Sequence, residues 1–244
     1  MSYQIFRRHP IINHMFNKVG ECLAMTTRKA GRPTNSIDAR EKLIFNAREL
    51  FTVMPYEKVS TRLVARKAGV NVAMIRYYFG NKEGLFETMI RETMAPMKRQ
   101  MALLLQDSSQ KNFLDLMRTY YREMIKVPQF PRLVAQVMHM PQSDIQRKLL
   151  EKVFIDISQP MQNVMFDKLV ESKILRPDAD PKLCKVSYIS LMVFPFIAPP
   201  SLLAVHGIEL DETFLSQLLE HNINLMSHGF LSTTDHQDSH YENQ

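Results

Sequence analysis

The chain has 244 residues, 45% hydrophobic and 23% charged, with 7 Gly, 13 Pro, 2 Cys and no Trp. That length fits one large domain or two small ones with a real core, and the composition excludes collagen, coiled-coil rods, disulfide scaffolds and wholesale disorder. The net charge of +6 is uneven: residues 25–83 carry twelve bases against five acids, whereas residues 84–244 carry 16 bases against 19 acids. A basic end on a slightly acidic body points to a polyanion-binding module joined to something else, or to an ordinary solvated helical surface. Cys22 and Cys184 are too few for a disulfide framework or a Cys-rich metal site, so a reduced, cytoplasmic compartment is expected. No cofactor and no metal are expected, since no phosphate-loop or metal-ligand motif is present.

In chain order, residues 1–24 lack the continuous apolar stretch of a signal peptide, being interrupted by Arg7, Arg8, His9, Pro10, Asn13 and His14. Met25 opens a basic, polar stretch, so it is expected to be the native start and residues 1–24 an upstream extension; N-terminal sequencing of natively expressed protein tests this. Residues 25–35 form a basic arm. A first helix is predicted from about 37 to 53, started by Asp38 with Glu41 three residues on, striped by Ile44, Ala47, Leu50 and Phe51, and stopped by Pro55. Ser60 caps a second helix that ends at Ala68 before Gly69, and Asn71 caps a short third one through Tyr78. Gly80-Asn81 is a turn, and Lys82 begins a fourth helix.

The remainder reads as longer helices at about 83–106, 110–126, 131–140, 144–174, 182–204 and 211–230, with kinks expected at Pro96 and Pro160. Strand signal is almost absent. Val186 to Ile208 carries no charge, but Pro195, Pro199 and Pro200 interrupt it. A buried helix or a subunit interface therefore suits it better than a membrane span. The tail 232–244 is polar and expected to be disordered.

Two short helices joined by a tight Gly turn inside a basic segment are the helix-turn-helix pattern. Small Ala65 and Ala68 let the helices cross closely, and Val64, Val70, Ile75 and Phe79 fill a shared core. That leaves Val72, Ala73, Met74, Arg76 and Tyr77 on or near the outward face of the second helix, which fits a DNA major groove. The runs Thr61-Arg62-Leu63-Val64-Ala65-Arg66-Lys67-Ala68-Gly69-Val70-Asn71 and Ile75-Arg76-Tyr77-Tyr78-Phe79-Gly80-Asn81-Lys82-Glu83-Gly84-Leu85 resemble the TetR/AcrR family of transcriptional regulators over residues 36–90. Pro55-Tyr56, Arg76 and Ala73 depart from the family's commonest pattern, which bears on the operator and not on the fold.

The resemblance implies an all-α fold: a three-helix DNA-binding domain over 36–83 and a helical effector-binding and dimerisation domain over 84–231. Arg76 is the candidate for a bidentate base contact or a phosphate contact. Val72 and Ala73 suit thymine methyls or spacing. The pair Tyr77 and Tyr78 resembles the family's, in which one hydroxyl meets phosphate and the other ring packs inward, with Tyr77 facing DNA. Thr61 and Lys82 sit at helix N-termini where phosphate is favoured, and the capping residues Ser60 and Asn71 are further DNA-binding candidates. Arg32, in Gly31-Arg32-Pro33, suits a narrow minor groove or non-specific attraction alone. Candidates for an effector pocket are Met94, Met97, Met101, Phe113, Met117, Tyr120, Tyr121, Met124, Met138, His139, Phe166 and Phe194, each equally readable as core; His139 reads better as a satisfied core histidine. Leu191, Phe194, Leu202, Phe214, Leu215, Leu218, Leu219 and Leu225 are candidates for the interface of a homodimer, formed by the last two long helices.

The expected function is a dimeric repressor released from a palindromic operator by a small lipophilic effector. The alternative is a DNA-binding protein of the same fold controlled by a protein partner, as in a nucleoid or division factor. An enzyme is not expected: the chain has no Gly-rich phosphate loop, His-Glu-x-x-His or G-x-S-x-G motif.

Overall fold

The computed structural model describes residues 36–158 and 164–232. Arg32 with its arm, residues 1–24, Pro160 and the tail from 233 lie outside the described residues. Every described element is helical apart from one isolated antiparallel bridge, Leu175 with Leu231. The helices are α1 (Ser36–Phe51), α2 (Thr61–Ala68), α3 (Ala73–Phe79), α4 (Lys82–Gln106), α5 (Gln110–Lys126), α6 (Gln129–Met138), α7 (Ile145–Ser158), α8 (Val164–Glu171), α9 (Pro181–Ile197), α10 (Pro200–Val205) and α11 (Glu212–Gly229).

The first three form the head. Leu43, Ile44, Ala47, Leu50 and Phe51 lie on one stripe of α1 and are all buried. A single 3-10 turn, Tyr56–Lys58, follows Pro55 and sinks Tyr56 and Val59 into the same core, a turn that no local pattern in the sequence marks. α4 belongs to both parts. Its first turns pack on α3, and the rest packs on α5 and α7. It runs unbroken through Pro96.

The body is closed by α9 lying on α5, α6 and α8, and by α11 on α5. Its centre is aromatic: Phe113 stacks on Tyr188 at 4.3 Å between ring centroids, Phe166 meets Phe113 edge-on at 5.8 Å, and Tyr120 and Tyr121 meet Phe196 edge-on. Two buried polar positions tie the bundle. The Tyr188 hydroxyl donates to the Phe113 carbonyl at 3.1 Å, and Asn222 Nδ2 donates to the Tyr121 hydroxyl at 3.0 Å and to the Leu191 carbonyl at 3.1 Å. Tyr188→Phe removes the first of these at constant shape, and is expected to cost about 1 kcal/mol in a denaturant titration; an unchanged midpoint contradicts it.

On the joint side, Glu87 accepts from Arg91 and Lys152, and Arg91 also donates to Asp156 of α7. Burial opposes the Glu87 charge, yet those two partners hold its carboxyl below the ordinary range.

Three boundaries differ from expectation. The run 182–204 is two helices, because Ala198 is extended (ψ 136°) before Pro199, as a residue preceding proline prefers, and Pro200 restarts the chain as α10. The run 144–174 is α7 and α8, separated by residues outside the described set, and α8 stops at Glu171. Lys173 adopts a left-handed backbone (φ 55°) there, and Ile174 N–H turns back to the Leu169 carbonyl. The helix expected from 131 begins at Gln129. Among the described residues no helix is long and apolar enough to cross a membrane, and no group of His, Cys, Asp and Glu is placed to hold a metal.

Candidate nucleic-acid interface

Local chemistry builds the reading head. Ser60 Oγ accepts from Leu63 N–H at 3.1 Å and fixes the start of α2. Gly69 ends it in the left-handed region (φ 65°), where a side chain is strained, and Val70 N–H closes on the Ala65 carbonyl at 3.0 Å. Asn71 Oδ1 accepts from Ala73 N–H at 2.9 Å, and so orders the first turn of α3. Val64, Ala65, Ala68 and Ile75 are buried where the two helices cross.

What remains outward is a stripe at helical spacing. Val72, Ala73, Arg76 and Tyr77 are all exposed, with Tyr77 at 77% the most open large hydrophobic side chain of the head. Asn71 and Ser60 are exposed beside it, and Thr61 is half-buried. Met74 departs from that face, and Tyr78 is half-buried. They lie on the flank next to Ile75 and pack against the core, with Tyr78 edge-on to Tyr77 at 4.9 Å. Arg62, Arg66, Lys67 and Arg76 make no ion pair among the described residues. The first three were not singled out from the sequence, although their spacing on α2, opposite Val64, Ala65 and Ala68, was sufficient to place them outward.

Lys82 opens α4, whose N-terminus is capped by Asn81 Oδ1 accepting from Gly84 N–H at 2.8 Å. Its ammonium donates to the Tyr56 carbonyl and lies over the Tyr56 ring, 3.8 Å from the centroid. Partial burial pulls its pKa below the ordinary lysine value, against the pull of Glu57 and Glu83. Arg40 of α1 ties the head to α4 through Glu92 at 2.8 Å and lies 5.9 Å from the Phe79 ring centroid at the end of α3.

The effector candidates fall into two groups. Met94, Met97, Phe113, Met117, Tyr120, Tyr121, Met124 and Phe166 are buried and Met101 is half-buried, all within the α4–α5–α8–α9 core. Met138, His139 and Phe194 are exposed. His139 is thus not a core histidine. It sits at the C-cap of α6, past the last buried turn, with Nδ1 2.7 Å from the Ala135 carbonyl oxygen. Phe194 lines an apolar cavity of about 240 Å³ with Leu191, Leu203, Phe214 and Leu218, between α9, α10 and α11.

Of the interface candidates, Phe194, Leu202 and Leu225 are exposed, and Leu191, Phe214, Leu218 and Leu219 are half-buried. Leu215 is corrected: it is 6% exposed and belongs to the core of its own chain, because it is on the flank of α11 that lies on α5.

Comparison with known proteins concerns first the head. The family model of bacterial regulatory proteins of the tetR family matches residues 43–89. The probable HTH-type transcriptional regulator YttP of Bacillus subtilis (strain 168) is 39% identical over 56 residues, which are 23% of this chain and 27% of that protein. The chain thus matches little more than a quarter of that relative's length. Two solved structures are similar over about three quarters of the chain. The fatty acid degradation regulator FadR from Bacillus halodurans superposes with a TM-score of 0.59 at 14% identity, covering 78% of this chain and 98% of that one. The regulator FadR from Bacillus subtilis, in complex with stearoyl-CoA, gives 0.56 at 14% identity, covering 76% and 96%. At such identities these two likenesses establish the fold.

Proposed function

We infer that this chain, whose residues 43–89 match the family model of bacterial regulatory proteins of the tetR family, is a member of that family and a dimeric repressor that binds a palindromic operator and is released by a small lipophilic effector. The observation that carries the DNA reading is the exposed stripe Val72, Ala73, Arg76 and Tyr77, flanked by the unneutralised cations Arg62, Arg66 and Lys67. Such a surface offers base-edge contact from α3 and phosphate contact from α2. Arg76 takes a base, Tyr77 and Thr61 take phosphate, and Lys82 adds a phosphate contact at the start of α4.

A head of this size covers too little DNA for tight specific binding, so two copies are needed, with their α3 helices about 34–36 Å apart along the duplex. The uncharged, exposed flank of α9 supplies the surface for that pairing. An apolar effector is supported by the methionines and aromatic rings of the body, which adapt to varied shapes, and by the acyl-CoA complex of a protein with the same fold. Its binding favours a conformer whose two heads no longer match one turn of DNA.

The test is binding, by fluorescence anisotropy, to the duplex immediately upstream of the chain's own gene, with a scrambled competitor. Palindrome-dependent binding in the nanomolar range is expected. Arg76→Ala is expected to weaken that binding by about 1–3 kcal/mol and to relax preference at a single base position in each half-site. Equal binding to both duplexes overturns the operator reading at that locus. Unchanged affinity in saturating long-chain acyl-CoA or free fatty acid removes the lipophilic effector and turns attention to control by a protein partner.

A further inference from the structure

Tyr56 lies 26 residues before Lys82 and belongs to the 3-10 turn between α1 and α2, yet it meets that lysine twice. Its carbonyl accepts from the ammonium, and its ring lies under the same nitrogen at 3.8 Å. The ring is itself held by packing. It is 7% exposed, stacked on Phe51 at 5.4 Å between centroids and edge-on to Phe86 at 5.3 Å. Phe86 is on the first turns of α4, so the aromatic group joins the turn to the helix that carries Lys82. A free lysine swings on a four-carbon stem and loses that freedom when it is ordered on a ligand. Here the stem is already ordered. One N–H is spent on the carbonyl and one face on the ring, which leaves donors for an incoming anion.

We propose that Tyr56 is a positioning residue that holds the Lys82 ammonium ready for a DNA phosphate. This rests on the reading of Lys82 as a phosphate contact. Ring and carbonyl act together: the ring attracts the cation without neutralising it, and the carbonyl fixes its direction. An acidic partner in their place would fix the lysine equally well but cancel the charge that the phosphate needs.

The experiment is a double-mutant cycle read by anisotropy against a labelled random-sequence duplex over a NaCl series, since a phosphate contact acts on any sequence. Lys82→Met is expected to weaken binding and to lower the slope of log K against log salt by about 0.9. Tyr56→Leu is expected to weaken binding about two- to fivefold with Lys82 present and to add nothing in the Lys82→Met background, whereas Tyr56→Phe keeps wild-type affinity. An equal loss from Tyr56→Leu in both backgrounds overturns the proposal, reduces Tyr56 to a core residue and leaves the Lys82 reading standing. An unchanged slope in Lys82→Met overturns the Lys82 reading, and the proposal with it.

Should Tyr56→Leu fail to fold, the wild-type protein still decides. The Lys82 ε-methylene protons, assigned by their loss in Lys82→Met, are expected to be shifted upfield by the ring and to remain so on addition of the same duplex. An unshifted resonance overturns the proposal.

Discussion

Gly84→Ala is expected to destabilise the reading head by about 3 kcal/mol or more and to abolish DNA binding. A Cβ at Gly84 would sit 2.0 Å from the carbonyl oxygen of Phe79 and 3.2 Å from its carbonyl carbon. Both are backbone atoms at the end of α3, so no side-chain rotation relieves the clash, and α3 has to move away from α4. That movement pulls Phe79 from its packing on the core and displaces Arg76 and Tyr77, which precede it in the same helix.

Gly69→Ala supplies the contrast. Its Cβ meets nothing within 4 Å, and the cost is only that of a left-handed alanine, about 1–2 kcal/mol. Chemical denaturation and operator binding of the two variants separate clash from strain. A Gly84→Ala protein with a wild-type midpoint and wild-type affinity contradicts the close approach of the two helices.

These two glycines also mark what was legible before the structure. Gly69 announces itself, because a glycine after a helix of basic and small residues has one common use, and Ser60 and Asn71 are equally local signals. The outward stripe of α3 followed from their spacing. What Gly84 does depends on how α3 lies against α4, and nothing near it in the chain states that. The Tyr56–Lys82 pair is lost for the same reason.

The body was less readable still. Pro199-Pro200 carried the local signal for a break, but the uncharged run around it invited one long helix. Phe113, Tyr121 and Met124 have the same spacing whether they line a cavity or fill a core. Periodicity fixes which face of a helix turns inward and says nothing of how much room is left there. Met138 and His139 show the opposite error: they continue an apolar pattern past the point where α6 is covered.

The largest effect expected outside the head comes from charging the bare flank of α9. Leu183 (68% exposed), Val186 (64%), Phe194 (51%) and Ile197 (37%) follow one another at helical spacing, with Ser187 and Ser190 between them. Small residues at the middle of such a stripe let a second helix approach closely, and apolar patches of this kind on one face mark an interaction surface. Val186→Asp removes no buried group of the single chain, so its fold is expected to survive, with a denaturation midpoint near that of the monomeric state. In the dimer it places an unpaired carboxylate on each side of a two-fold contact. Two such charges facing each other without water are enough to dissociate a standard-sized interface.

Sedimentation is therefore expected to show a dimer for the unaltered chain and a monomer for Val186→Asp, and operator affinity is expected to fall about 100-fold or more, because each half-site is then bound by one head alone. Ile155→Asp, on the exposed side of α7 at 51%, changes the same kind of residue away from that flank and is expected to leave both properties unchanged. If Val186→Asp sediments as the unaltered chain does, the two heads are brought together by another surface. If it is monomeric and still binds the operator at full strength, one head suffices, and the argument from interface size fails.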